Sequence, residues 1–125
     1  MTMKLLLAGI VLILIVETNA DSKWYMFPVE AGQGAYDMAR SYFDMRKAKC
    51  TGADKYFHAR GNYDAAQRGA GGHWASKFIS DTREWLDMKR GGSPEDSAAD
   101  QIANNWGREG GDPNVFRPEG LPDEY

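Results

Sequence analysis

Cysteine is almost absent from this chain of 125 residues, which contains Cys50 alone. A single thiol excludes an intramolecular disulfide framework, so Cys50 is unpaired or pairs between molecules. The only imidazoles are those of His58 and His73, which are not at the i, i+4 spacing of a metal-binding helix, and no CxxC or HExxH motif occurs. We therefore predict that the protein is not an enzyme and has no metal site and no cofactor.

The N-terminal segment, residues 1–20, differs in composition from the rest of the chain. It has the charged residue Lys4 near its start, continues as an apolar run from Leu5 to Val16, and ends in small residues. This pattern predicts a secretory signal peptide cleaved before Asp21, since about twelve apolar residues are too few to cross a bilayer. The remaining segment, 21–125, is expected to form one extracellular domain.

Aliphatic residues are scarce in the segment 21–125. It contains two Leu, two Ile and two Val, against fifteen aromatic residues and four Met. Ordering each residue costs roughly 1–2 kcal/mol, and little aliphatic surface is available to offset that cost. We therefore expect a thin, aromatic-rich core and a protein that completes its burial by self-association or against lipid.

Glycine breaks divide this segment into four amphipathic stretches, in which apolar residues recur at spacings of three and four. The predicted helices cover about 22–48, 52–68, 72–90 and 94–109, and an irregular tail rich in Pro and Gly covers 110–125. Because short connections between amphipathic helices indicate an up-down bundle, we predict an all-α fold. The predicted fold is a four-helix bundle, with the irregular C-terminal tail packed on the bundle through Phe116 and Leu121.

Local signals indicate where some of the helices begin. Ser93 as a cap, followed by Pro94 at the first helical position, is the clearest of them. Thr51 followed by Asp54 resembles a capping box. Pro28 leaves two alternatives for the first helix, because it either begins near this proline or begins at residue 22 and is kinked.

Each predicted helix has an apolar stripe, and that of the third helix is predicted to be its buried face. In chain order the stripes are Trp24, Phe27, Ala31, Ala35, Met38, Tyr42 and Met45; Tyr56, Ala59, Tyr63 and Ala66; Ala75, Phe78, Ile79, Thr82, Trp85 and Leu86; and Ala99, Ile102, Ala103 and Trp106. Arg60, Asp64 and Arg68 lie at successive i, i+4 positions and are expected to pair along one face of the second helix.

Charge is distributed unevenly along the chain, whose net charge is −3. Residues 40–68 contain seven Lys or Arg and three acidic residues, whereas residues 95–125 contain two and eight. The locally basic helix pair suggests an anionic partner such as a sulfated glycan or phospholipid headgroups. The alternative is a solvated face whose charges pair with the acidic C-terminal part of the chain.

The segment 23–27, Lys-Trp-Tyr-Met-Phe, cannot direct four large apolar side chains into one core. Bulky aromatic residues beside Lys23 suit a membrane or lipoprotein interface. The same segment is β-prone and nearly uncharged, which makes it an aggregation hazard. The alternative is that it packs within the bundle or an oligomer.

The stretch 54–75, DKYFHARGNYDAAQRGAGGHWA, resembles the signature of the serum amyloid A family. The likeness continues through ISDTRE at 79–84, EDSAADQ at 95–101, WGR at 106–108 and DPNVFRPEGLP at 112–122. It covers nearly the whole of the segment 21–125, and its motifs are highly specific.

The resemblance implies a secreted acute-phase apolipoprotein of high-density lipoprotein, a four-helix bundle with its tail wrapped over it. It also implies binding of phospholipid, retinol and heparan sulfate, contacts with cell-surface receptors, homo-oligomerisation and amyloid deposition; no nucleic-acid partner is expected. In the family, the apolar faces of the first and third helices are thought to bind lipid. By position these residues are Trp24, Phe27, Met38, Tyr42, Met45, Trp74, Phe78, Trp85 and Leu86. The residues expected to contact headgroups or glycans are Arg40, Arg46, Lys47, Arg60 and Arg68.

Two functions from different classes remain open on these observations. The first is a non-enzymatic protein that carries lipid or retinol during inflammation. The second is a secreted innate-immune signalling or chemoattractant ligand that binds receptors, heparan sulfate or bacterial surfaces, with lipid incidental.

Overall fold

A computed structural model describes residues 23–125. The predicted signal peptide, 1–20, and the predicted helix start at residue 22 lie outside the described residues. The elements, in chain order, are a 3₁₀ turn at Trp24–Met26, α1 at Phe27–Ala48, α2 at Asp54–Gln67, α3 at Ala70–Lys89, α4 at Pro94–Arg108, and a second 3₁₀ turn at Pro113–Phe116. Within this part of the chain the fold is all-α, and α1 and α4 each pack against both α2 and α3. The predicted four-helix bundle is confirmed.

The helix starts agree with two of the three local signals. Pro28 lies in the first turn of α1, where a missing N–H costs nothing, and the helix begins next to this proline, at Phe27. The Oγ of Ser93 accepts a hydrogen bond from the Asp96 N–H at 2.9 Å, as the cap predicts. The capping box at Thr51 is wrong, because the Ala53 N–H bonds the Cys50 carbonyl at 3.2 Å and places Thr51 inside a turn.

The helices approach one another closely through small residues. A Cβ at Gly72 on α3 would lie 2.0 Å from the Ala65 carbonyl oxygen of α2, and a Cβ at Gly107 on α4 would lie 2.0 Å from the carbonyl oxygen of Ala59. No side chain fits at either position without moving backbone. The bundle is therefore assembled around backbone contacts rather than around interdigitated large side chains.

Polar residues occupy much of the interior that these contacts create. On α3 the buried positions include Ser76, Ser80 and Glu84, whereas Phe78 and Trp85 are 58% and 59% exposed. The predicted buried face of this helix is therefore wrong at Phe78, Thr82, Trp85 and Leu86, which are all exposed. The physical reason is the close α2–α3 approach, which leaves room for serine but not for aromatic rings.

The other helices show the same arrangement. In α4 the predicted stripe is buried at Ala103, but Ile102 is 66% exposed and Trp106 is also exposed, while Asn104 and Arg108 are buried. In α2 Tyr56 and Ala59 are buried, whereas Tyr63 and Ala66 are only half-buried. In α1 the buried residues are Gly34, Asp37 and Ser41, not the apolar stripe.

The tail is fastened to the start of α2. Leu121 is buried in a small apolar cluster with Ala53, Tyr56 and Phe57, and Phe116 packs against that cluster, as predicted. The Arg117 guanidinium donates hydrogen bonds to the backbone carbonyls of Leu121, Pro122 and Tyr125 and stacks over the Tyr56 ring at 5.2 Å. One arginine therefore organises the end of the chain.

None of the helices between residues 23 and 125 combines the length and the apolar content needed to cross a membrane.

Candidate lipid-binding surface

The exposed apolar residues of α1 and α3 lie side by side along one surface. Trp74 of α3 contacts Phe27 of α1, with ring centroids 5.9 Å apart, and stacks on Phe78 at 5.4 Å. Trp74 is 52% exposed and Phe78 is 58% exposed, so both rings offer one face to solvent. Contiguous exposed rings of this kind mark interaction sites rather than ordinary protein surface.

Next to these rings, a groove with a volume of about 520 Å³ runs between α1 and α3. We call it the apolar groove, and its apolar lining consists of Ala35, Met38, Ala39, Tyr42, Phe43, Phe78, Ile79 and Leu86. A volume of this size lies within the range of small-molecule sites, about 300–1,000 Å³. The groove is therefore large enough for one apolar ligand, and its edge can contact a lipid surface.

The structure brings together most of the predicted lipid-binding residues, but not all of them. Phe27 and Trp74 pack beside the apolar groove, and Met38, Tyr42, Phe78 and Leu86 line it. Met45 instead packs against the apolar cluster that holds the tail. Trp24 lies before α1, with its ring edge against Tyr25 at 6.1 Å, and the ring of Trp85 lies 5.5 Å from the Lys89 Nζ.

The residues of the apolar groove that were not predicted as site residues include Phe43, Arg83 and Arg90. Phe43 is 67% exposed, and Arg83 and Arg90 lie at the polar edge of the groove. The Arg83 guanidinium lies 4.8 Å from the centroid of the Tyr42 ring, a cation–π contact between α3 and α1. Arg83 falls within the ISDTRE motif, which is the sequence signal that could have identified it.

The floor of the apolar groove is polar. It includes His58 from α2, Ser80 and Glu84 from α3, and Asn104 from α4. The Glu84 Oε2 accepts a hydrogen bond from the Ser97 hydroxyl at 2.9 Å. Burial of this carboxyl, together with the neighbouring charge of Asp100, raises the pKa of Glu84 to about 7. Burial likewise lowers the pKa of His58, so the floor favours neutral forms of both groups.

Beneath the floor, a buried hydrogen-bond network joins α2, α3 and α4. The Asn62 amide nitrogen donates to the His58 carbonyl at 2.8 Å and to the Asn104 Oδ1 at 3.0 Å. The Asn62 Oδ1 accepts from the Ser80 hydroxyl at 3.1 Å and from the Arg108 guanidinium at 3.0 Å. Because every polar group of Asn62 is satisfied, the network can replace the aliphatic core that the sequence lacks.

The predicted basic residues are divided between ion pairs and open surface. Arg60 pairs with Asp44 at 2.6 Å, and Arg68 makes two hydrogen bonds to Asp37, at 2.7 and 3.0 Å. Both contacts cross from α2 to α1, so the predicted pairing of these arginines with Asp64 along one face of α2 is wrong. The acids of α1 are better placed because the two helices pack together.

The other three basic residues lie on the outer surface of α1. Arg40, Arg46 and Lys47 are exposed, and the Arg46 guanidinium donates a hydrogen bond to the Tyr42 hydroxyl at 3.2 Å. The basic middle of the chain also pairs with its acidic C-terminal part, because Lys55 forms salt bridges to Asp96 and Asp100 of α4. Pairing with the acidic C-terminal part of the chain therefore neutralises part of the basic excess of residues 40–68. The exposed cations of α1 account for the rest of this excess.

The fold and the surface together define a class of small helical bundle that keeps polar and small residues inside and presents aromatic residues outside. A sequence profile described as serum amyloid A protein matches residues 25–125. Serum amyloid A-1 protein of Oryctolagus cuniculus is 60% identical over 120 residues, covering 96% of this chain and 98% of that protein. Serum amyloid A-3 protein of Mus musculus is 57% identical over 123 residues, covering 98% of this chain and all of that protein. The chain belongs to the serum amyloid A family.

Proposed function

We propose that the protein is a secreted acute-phase apolipoprotein that binds phospholipid and high-density lipoprotein through the apolar surface of α1 and α3. The observation that carries the proposal is the stacked pair Trp74 and Phe78, both more than half exposed and in contact with α1 through Phe27. Withdrawing such rings from water stabilises association by about 25 cal/mol per Å² of apolar area. The same surface serves self-association when lipid is absent.

The apolar groove extends the proposal to a single apolar cargo molecule. Its volume of about 520 Å³ and its lining of Met38, Tyr42, Phe78 and Leu86 suit retinol or one lipid chain. The polar floor at Ser80 and Glu84 suits the hydroxyl end of such a ligand better than a second apolar group.

Co-flotation with phosphatidylcholine vesicles tests the lipid proposal. The protein is expected to float with the vesicles, and Trp74→Ala combined with Phe78→Ala, which removes the two exposed rings, is expected to abolish flotation while the bundle keeps its helicity. Ile102→Ser is the matched control, because Ile102 is 66% exposed but lies on α4. Absence of flotation by the parent protein, with helicity unchanged, would refute the proposal.

A second candidate function is binding of heparan sulfate, receptors or bacterial surfaces by a secreted signalling ligand. The observation that favours it is the row of exposed cations on α1, at Arg40, Arg46 and Lys47. Heparin affinity that falls steeply as salt rises is expected of such a surface. Binding that is absent, or insensitive to salt, would remove this function.

A further inference from the structure

Three carboxylates meet where α3 packs against α4, at the polar floor of the apolar groove. Glu84 and Asp87 come from α3 and Asp100 comes from α4, and one oxygen of each lies within 4.8 Å of the other two. Glu84 is 4% exposed and Asp100 is 5% exposed, so two of the three are withdrawn from water. Carboxylates this close repel one another unless a cation or a proton lies between them.

The Glu84 Oε1 shows that the cluster is incomplete. Among residues 23–125 it is the buried side-chain oxygen or nitrogen that finds no hydrogen-bond partner, although the Oε2 of the same carboxyl is bonded to Ser97. The Oε1 exposes less than 1 Å² to solvent, so a ligand in the apolar groove does not reach it without moving the protein. Its partner has to be small enough to lie inside the cluster.

The neighbouring cations contact Asp100, but in the described part of the chain no contact joins them to Glu84 or Asp87. Lys55 contacts Asp54, Asp96 and Asp100, and His58 approaches Asp100 at 3.7 Å, but the contacts found for Lys55 do not include Glu84 or Asp87. The Arg83 guanidinium lies over the Tyr42 ring. When Glu84 is ionised, the negative charge of Glu84 and Asp87 is therefore not matched by a bonded side chain of the described residues.

We propose that Glu84, Asp87 and Asp100 form a binding site for a divalent cation of the calcium type. An all-oxygen donor set with two or more carboxylates suits Ca²⁺, which takes six to eight oxygen ligands in flexible geometry. The Ser97 hydroxyl and water would supply further oxygens. A bound cation would supply the unpartnered Oε1 with a ligand and tie α3 to α4 at the point where the buried carboxylates meet. The site does not depend on lipid, so it stands apart from the proposed function.

Calcium titration of the full chain without lipid, followed by isothermal calorimetry and thermal unfolding, tests the site. We expect a dissociation constant of about 10⁻⁴–10⁻³ M, the range of extracellular calcium-binding modules. At ten times that concentration the ratio of folded to unfolded protein should rise about elevenfold, because the ratio scales as one plus ligand concentration over dissociation constant. Sodium chloride at equal ionic strength is the reference condition.

Two variants and a control locate the effect. Glu84→Gln keeps the shape of the side chain and should abolish the calcium response, and Asp87→Asn, at a half-exposed position, should weaken it at least tenfold without loss of the fold. Glu119→Gln, the same exchange at an exposed tail position, should leave the response unchanged. A calcium response that is absent in the parent protein, or equal in the parent and both site variants, would overturn the proposal and leave a shared proton between Glu84 and Asp100.

Discussion

Replacing Asn62 by alanine is the sharpest test of the polar interior. Asn62 is fully buried and makes four hydrogen bonds, to the His58 carbonyl, the side chains of Asn104 and Ser80, and the charged side chain of Arg108. About 1 kcal/mol for each neutral bond and about 2 kcal/mol for the charged one give a loss of about 5 kcal/mol. Since small domains have a total stability of about 5–15 kcal/mol, Asn62→Ala should leave the protein close to unfolding at 25 °C.

Urea unfolding of the lipid-free protein, followed by circular dichroism at 222 nm, measures this loss. Ser80→Ala removes one neutral bond to Asn62 and should cost about 1 kcal/mol, which provides an intermediate value. Gln33→Ala, at an exposed position of α1, should change stability by no more than about 0.5 kcal/mol. A loss below about 2 kcal/mol for Asn62→Ala would refute the view that the buried network replaces an aliphatic core.

Three further perturbations separate packing, tail attachment and glycan binding. Gly72→Ala should lower the free energy of unfolding by about 1–3 kcal/mol, because its Cβ would lie 2.0 Å from the Ala65 carbonyl oxygen. Gly32→Ala should raise the free energy of unfolding by about 0.5–1 kcal/mol, because nothing lies within 4 Å of its Cβ. Equal urea midpoints for the two variants would contradict the close approach of α2 and α3. Arg117→Ala should release the tail and speed its proteolysis while the unfolding midpoint of the helices changes little, and unchanged cleavage would show that the arginine does not hold the tail. Arg40→Ala should lower the salt concentration at which the protein elutes from heparin. Arg60→Ala should act mainly on stability, because Arg60 is paired with Asp44. The reverse order of effects would contradict the division of these arginines between open surface and ion pairs.

The sequence predicted the architecture because helix periodicity and glycine breaks are local properties. The four helices and the cap at Ser93 follow from spacing and capping chemistry within a few residues, and the observed ends differ from the predicted ones by at most two residues wherever both can be compared, apart from the start of the first helix. That start, at Phe27, follows from Pro28, which was one of the two alternatives.

The orientation of the helices could not be predicted from hydrophobic periodicity. Ser76, Ser80 and Glu84 recur every four residues, as Trp74 and Phe78 do, and both sets form a stripe along α3. Which stripe faces inward depends on how closely α2 approaches, and that distance is set by Gly72 and its contacts across the bundle. A pattern within one helix contains no information about that distance.

Only part of the candidate site could be predicted, again because spacing within one helix does not show the contacts between helices. The family resemblance indicated the faces of α1 and α3, and most of those residues meet at the apolar groove. The ion pairs of Arg60 with Asp44 and of Arg68 with Asp37 join residues 16 and 31 positions apart, so helix spacing does not show them. The polar floor at Glu84 is likewise produced by packing of α3 against α4, and its local sequence predicts a solvated acid.

In the proposed function, the aromatic surface of α1 and α3 enters lipid while α4 stays outside it. Quenching of single-tryptophan variants by brominated phosphatidylcholine tests this claim most directly, with the other three Trp residues changed to Phe. Trp74 alone should be strongly quenched, whereas Trp106 alone should be quenched little, because Trp106 lies on α4 and its indole N–H donates to the Asp112 carbonyl at 2.8 Å. Equal quenching of the two, or stronger quenching of Trp106, would contradict entry of the α1 and α3 surface into lipid.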